Sequence, residues 1–131
     1  MASTTFSHAV ASPGQARAFV ASALREQGAV EDIRFEDALL VVSELFTNAV
    51  LHADPEFELK VDTTDRSFLR LEVTDGSPRI PRKAEPPARG QLGGWGLNLV
   101  HQLSLDWGVS RRRDGHRGKV VWAEVPISRA A

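Results

Sequence analysis

Ser43-Glu44-Leu45-Phe46-Thr47-Asn48-Ala49-Val50-Leu51-His52 carries an apolar stripe and a polar pair in the same ten residues. Phe35, Ala38, Leu39, Val42, Leu45, Phe46 and Ala49 recur at helical spacing, so the pattern predicts one helix from Ile33 to Ala53, ended by Asp54-Pro55. Successive helical residues turn by about 100°. Glu44 and Asn48 then stand about 40° apart with Asp37 between them, and the stripe, centred near Val42, Phe46 and Ala49, falls far around the helix. Such a helix packs one side on a sheet and presents Glu44 and Asn48 to a cavity wall. A carboxylate there can accept a proton from an attacking hydroxyl. An Asn carbonyl oxygen is a neutral hard ligand suited to Mg²⁺. The alternative is an exposed Glu and Asn on a solvated face.

Outward from this helix, Ser12-Pro13 opens an earlier one, since Ser caps well and Pro suits the first helical position. Ala16, Phe19, Val20, Ala23 and Leu24 form its stripe, and Gly28 stops it. Thr4–Val10 leans towards an edge strand. Phe57, Leu59 and Val61 alternate with Glu58 and Lys60, and Phe68–Val73 follows after a turn, which reads as a hairpin. Residues 94–104 form an apolar helical pattern starting on glycines. Trp107–Arg111 and Lys119–Val125 close the chain as two strands. The order β-α-α-β-β-loop-α-β-β predicts an α/β two-layer sandwich with a mixed, mainly antiparallel sheet and helices on one face.

The loop 76–93 holds Pro78, Pro81, Pro86, Pro87, Gly90 and Gly93, which exclude a regular element. A loop of this length in a small domain is a functional lid or a disordered segment. It starts at Val73-Thr74-Asp75-Gly76-Ser77-Pro78, where Asp75 ends an apolar strand and places a carboxylate at the mouth of the sheet. That carboxylate suits an exocyclic amine such as adenine's; Asp-Gly-Ser-Pro is equally an ordinary turn. The loop ends at Gly90-Gln91-Leu92-Gly93-Gly94-Trp95-Gly96-Leu97. Glycines admit a ligand close to the backbone, and free N–H groups at a helix start bind phosphate.

Composition sets the outer bounds. The chain has 131 residues, 42% hydrophobic and 25% charged, as in one globular domain. It lacks cysteine, which excludes a disulfide scaffold, an iron–sulfur site and a Cys nucleophile, and fits the cytoplasm. His8, His52, His101 and His116 have no close metal-ligand spacing. No apolar run of about 18 residues is present, so no membrane span is expected, and Met1–Ser12 lacks the pattern of a secretory signal. Lys plus Arg number 16 and Asp plus Glu 17, which disfavours a nucleic-acid binder. This near-neutrality is local cancellation. Glu31, Asp32, Glu36, Asp37 and Glu44 stand against Arg34 in one segment, and Arg79, Arg82, Lys83 and Arg89 against Glu85 in the loop.

Taken together and in order, Glu44-Leu45-Phe46-Thr47-Asn48-Ala49-Val50, Asp75-Gly76 and Gly94-Trp95-Gly96-Leu97 resemble the ATP-binding superfamily of gyrase, heat-shock chaperone, histidine kinase and mismatch-repair ATPases. The single-domain form is similar to bacterial anti-sigma-factor serine kinases. The resemblance implies the histidine kinase-like ATPase fold over residues 1–131, with 76–93 as an ATP lid. It implies Glu44 as general base, Asn48 as Mg²⁺ ligand, Asp75 with Gly76 on adenine, and Gly94, Trp95, Gly96 and Leu97 about the nucleotide. The implied partners are a sigma factor or its small antagonist protein, whose serine takes the γ-phosphoryl group; a homodimer stays open. Departures from the family pattern are Ser77 and Arg79 at positions commonly Gly, and Leu51 where a basic residue is common. Val120 stands at the position matched to a strand Thr that supports the aspartate. These changes leave open a non-catalytic member that binds a sigma factor or antagonist without phosphoryl transfer.

Overall fold

The computed structural model describes residues 2–7, 12–52, 56–76, 97–112 and 115–129. The elements follow the expected order: β1 (Ala2–Ser7), α1 (Pro13–Glu26), α2 (Ile33–His52), β2 (Glu56–Asp62), β3 (Phe68–Asp75), α3 (Leu97–Leu103), β4 (Asp106–Arg111) and β5 (Lys119–Pro126). The strands form one five-stranded sheet in the order β1-β2-β3-β5-β4. All its pairings are antiparallel, so the mixed character expected from the element order is absent among the described residues. Direct connections make β2–β3 and β4–β5 antiparallel neighbours, while β3 and β4, joined through α3, run parallel to each other and β5 inserts antiparallel between them.

Local chemistry fixes the helix starts. The Ser12 hydroxyl accepts from the Gln15 amide, and the Gln15 side chain accepts from the Ser12 amide, a reciprocal capping box with Pro13 next in line. Asp32 does the same work for α2, accepting from the amides of Arg34 at 3.0 Å and Phe35 at 3.2 Å. Gly28, at φ 77°, takes the left-handed turn that ends α1.

The core lies between the helices and one face of the sheet. Phe57, Leu59 and Val61 of β2, Leu69, Leu71 and Val73 of β3, and Val121, Ala123 and Val125 of β5 are buried on that face. Helix α2 packs over β3 and β5, α1 meets β2 and α2, and α3 meets α2 and β4. The apolar stripe of α2 is wider than the spacing suggested, because Val41 is fully buried as well. Val41 lies about 20° from Asn48 around the helix, so the stripe reaches the polar pair rather than lying far from it. On the opposite face of the sheet, Arg70 lies 4.4 Å from the Trp122 ring centroid and within 3.7 Å of Glu72 and 3.6 Å of Glu124. That face is polar, as an uncovered antiparallel face should be.

Candidate functional site

Two side chains meet at one end of the helix-covered face. The alternation of β3 buries Leu69, Leu71, Val73 and then Asp75, so the strand ends with a carboxylate pointing into the layer beneath the helices. β5 begins in the same phase, with Lys119 buried on the same side as Val121. The register pairs Asp75 directly with Lys119. Their charged atoms meet at 3.1 Å, with side chains 2% and 3% exposed. Phe57, the partner of Asp75 on β2, meets the ring of Phe46 edge-on at 5.3 Å between centroids. Phe46 stands two residues before Asn48, so this contact brings the C-terminal half of α2 over the sheet end that carries Asp75.

Asn48 is buried, and its Oδ1 has no hydrogen-bond partner among the described residues. An orphaned buried acceptor costs roughly 1–3 kcal/mol, and such groups persist where a ligand completes them. A carbonyl oxygen is the donor type that Mg²⁺ takes alongside waters and substrate phosphates. Among the described residues no group of three or more His, Asp or Glu side chains gathers as a metal cluster. Asn48 Oδ1 is thus a protein oxygen that would suit Mg²⁺. Glu44 is half-buried, and loss of water around it pushes its carboxyl above the ordinary value of 4.5. Its neighbour Ser43 donates to the Leu39 carbonyl at 2.9 Å and accepts from Arg17 at 3.1 Å, so Ser43 serves to tie α1 to α2.

A family model described as the histidine kinase-like ATPase domain matches residues 6–125. The chain belongs to this family. The histidine kinase domain from the blue-light activated histidine kinase of Erythrobacter litoralis is 25% identical, with a TM-score of 0.54 over 88% of this chain. This chain spans 61% of that one. The mycobacterial sensor histidine kinase MprB is 17% identical, with a TM-score of 0.59 over 98% of this chain and 100% of its own, a likeness of fold. A search of the curated proteins finds no match. Among the described residues of this histidine kinase-like ATPase domain, no helix is long and apolar enough to cross a membrane.

Of the residues singled out in the sequence, Glu44 and Asn48 lie on one helix, with Asn48 buried where both were expected on a cavity wall. Asp75 and Gly76 lie at the end of β3, and Leu97 begins α3. Gly94, Trp95, Gly96, Ser77 and the basic lid residues Arg79, Arg82, Lys83 and Arg89 lie outside the described residues. The position expected to support Asp75 was Val120. The structure corrects this: Val120 pairs with Thr74 on the opposite face, and Lys119 is the residue that meets Asp75. Counting inward from Val125, Ala123 and Val121 by twos would have found Lys119 as a buried cation in need of a carboxylate.

Gly118 was also missed. Its φ of 134° is rarely adopted by L-residues, and an added Cβ would press on the Asp75 carbonyl group and stand 2.8 Å from Arg112 Cδ. The Gly118 carbonyl accepts from the Arg112 amide at 3.2 Å, closing the β4–β5 turn. This glycine lets the start of β5 approach the end of β3 closely enough to join Lys119 to Asp75.

Proposed function

We propose that this domain binds ATP with Mg²⁺ and acts as an anti-sigma-factor-type serine/threonine protein kinase on a small antagonist protein, with a sigma factor as the alternative partner. The observation that carries the nucleotide reading is the buried Oδ1 of Asn48, which has no hydrogen-bond partner among the described residues, on the half of α2 that Phe46 holds against Phe57, the β2 partner of Asp75. In this reading Asn48 holds the metal and Asp75, with Gly76, receives the adenine amino group. In the same reading Gly94, Gly96 and Leu97 would face the phosphates, Trp95 would contact the ligand, and the bases of the lid would face the polyphosphate. Asn48 would hold Mg²⁺, which would supply charge neutralisation at the phosphates.

Glu44 supplies the proton transfer. Partial burial raises its carboxyl pKa, which moves it towards the range of an effective base at working pH. It takes the proton of an incoming serine hydroxyl. The serine oxygen bonds to the γ-phosphorus, the bond from that phosphorus to the β,γ-bridging oxygen breaks, and ADP leaves with the electron pair. Positioning and charge neutralisation account for the rest of the rate. Such a regulator of transcription acts in the cytoplasm, where sigma factors work.

A second reading is favoured by one observation. Asp75 is already engaged by a buried lysine, which suits a domain that kept the fold for partner capture and lost turnover. Transfer of labelled phosphate to a partner serine, abolished by Glu44→Gln, supports the kinase. Partner capture that ignores nucleotide and survives Glu44→Gln supports the binding module.

A further inference from the structure

We propose that Lys119 is a specificity-determining residue of the nucleobase end of the site. Its ion pair with Asp75 competes with the amino group of the base and sets the affinity for ATP. This rests on the reading of Asp75 as the base-binding carboxylate and goes beyond it.

The pair is built into the backbone. Gly118 permits the close approach, the antiparallel register faces Asp75 with Lys119, and both side chains point under the helices. At 3.1 Å this is a charge-assisted contact, and both partners are almost wholly out of water. A buried ammonium persists only while a carboxylate or comparable acceptor faces it, because desolvating a lone charge is very costly.

An exocyclic amine is a neutral donor and makes the weaker kind of bond to the same carboxylate. If it takes the lone pairs that Lys119 uses, the ammonium is left buried and unpaired. If it takes the remaining lone pairs, it meets a carboxylate whose charge is already offset. In either geometry a ligand amine gains less from Asp75 than it would with a neutral residue at position 119. The penalty falls on the base and not on the phosphates, so uncharged adenosine carries it as fully as ATP.

The test is calorimetric titration of the full chain with ATP and with adenosine. It compares the unmodified protein, Lys119→Gln, Lys119→Thr and Lys119→Arg, each checked for folding by circular dichroism. Both neutral variants keep a group able to donate to Asp75, and either suffices should the other not fold. The expected result is tenfold or greater tightening for both ligands in the neutral variants and none in Lys119→Arg. Purine riboside, which lacks the 6-amino group, gains nothing, and Asp75→Asn added to the neutral variant abolishes the gain. A purely structural role for Lys119 would weaken binding when it is replaced. Unchanged or weaker ATP binding by the folded neutral variants, with measurable binding by the unmodified protein, overturns the role of Lys119 and leaves the nucleotide reading intact. Absence of binding in every folded protein overturns both.

Discussion

Gly118→Ala should damage this domain more than the same change at Gly115, its neighbour in the same turn. The new Cβ would stand 2.9 Å from the Asp75 carbonyl carbon and closer still to its oxygen, inside the 3.0 Å that real Cβ atoms respect. The Asp75 atoms it meets are backbone, so no side-chain rotation relieves that contact. The φ of 134° adds conformational strain of about 1–3 kcal/mol. Pushing β5 away from β3 adds about 1–3 kcal/mol of overpacking cost. The sum is about 2–6 kcal/mol, a large share of the roughly 5–15 kcal/mol that holds a domain folded. Gly115→Ala is the control, since Gly115 also has positive φ, 80°, but nothing lies within 4 Å of its added Cβ. Its cost is the left-handed conformation alone, about 1–2 kcal/mol. Urea unfolding followed by circular dichroism gives both values. Equal losses for the two variants, or a loss below about 1 kcal/mol for Gly118→Ala, would refute the close approach of β3 and β5 and the reasoning built on it.

Asn48→Ala should abolish Mg²⁺-dependent ATP binding while leaving the far-ultraviolet spectrum unchanged, a pair of results read by calorimetry and circular dichroism. Glu44→Gln should retain nucleotide binding and lose phosphate transfer, checked by titration beside a labelled-phosphate assay. Because burial raises the Glu44 pKa, the acid limb of the unmodified protein's pH–rate profile should lie above 4.5. The same shift favours the protonated fold, so this group's contribution to stability is present below 4.5 and lost as pH rises through its folded value. Asp32 has the opposite sign. A bond from Ser128, with those from the Phe35 and Arg34 amides, holds its carboxyl below 3.8, so the cap's contribution is lost as pH falls through its folded value. Asp32→Ala should flatten that part of an acid unfolding curve. Phe46→Ala removes the ring that meets Phe57 and should cost about 3–5 kcal/mol in urea unfolding.

Much of the fold was legible because strong local signals coincided with tertiary demands. The Ser12-Pro13 start, the Gly28 stop and the alternation of Phe57, Leu59 and Val61 each have one cheap structural solution. The long stripe of α2 was equally clear, although Val41 showed that an angular gap between polar and apolar faces cannot be read from the strongest residues alone. Asp32 escaped notice as a cap because the acids around it drew the reading towards charge. Glu44, Asn48 and Asp75 were picked out as candidates by residue type and spacing. Lys119 and Gly118 were not, since their importance comes from register: which residue faces Asp75 depends on how β5 is paired with β3. A one-residue shift exchanges Lys119 for Val120 and turns every side chain of the strand to the other face.

Calorimetric titration of the unmodified protein with ATP, with and without Mg²⁺, tests the central claim most directly. The account predicts saturable binding that requires Mg²⁺ and is lost in Asn48→Ala. Absence of any heat of binding at millimolar ATP, in protein shown to be folded, would contradict it.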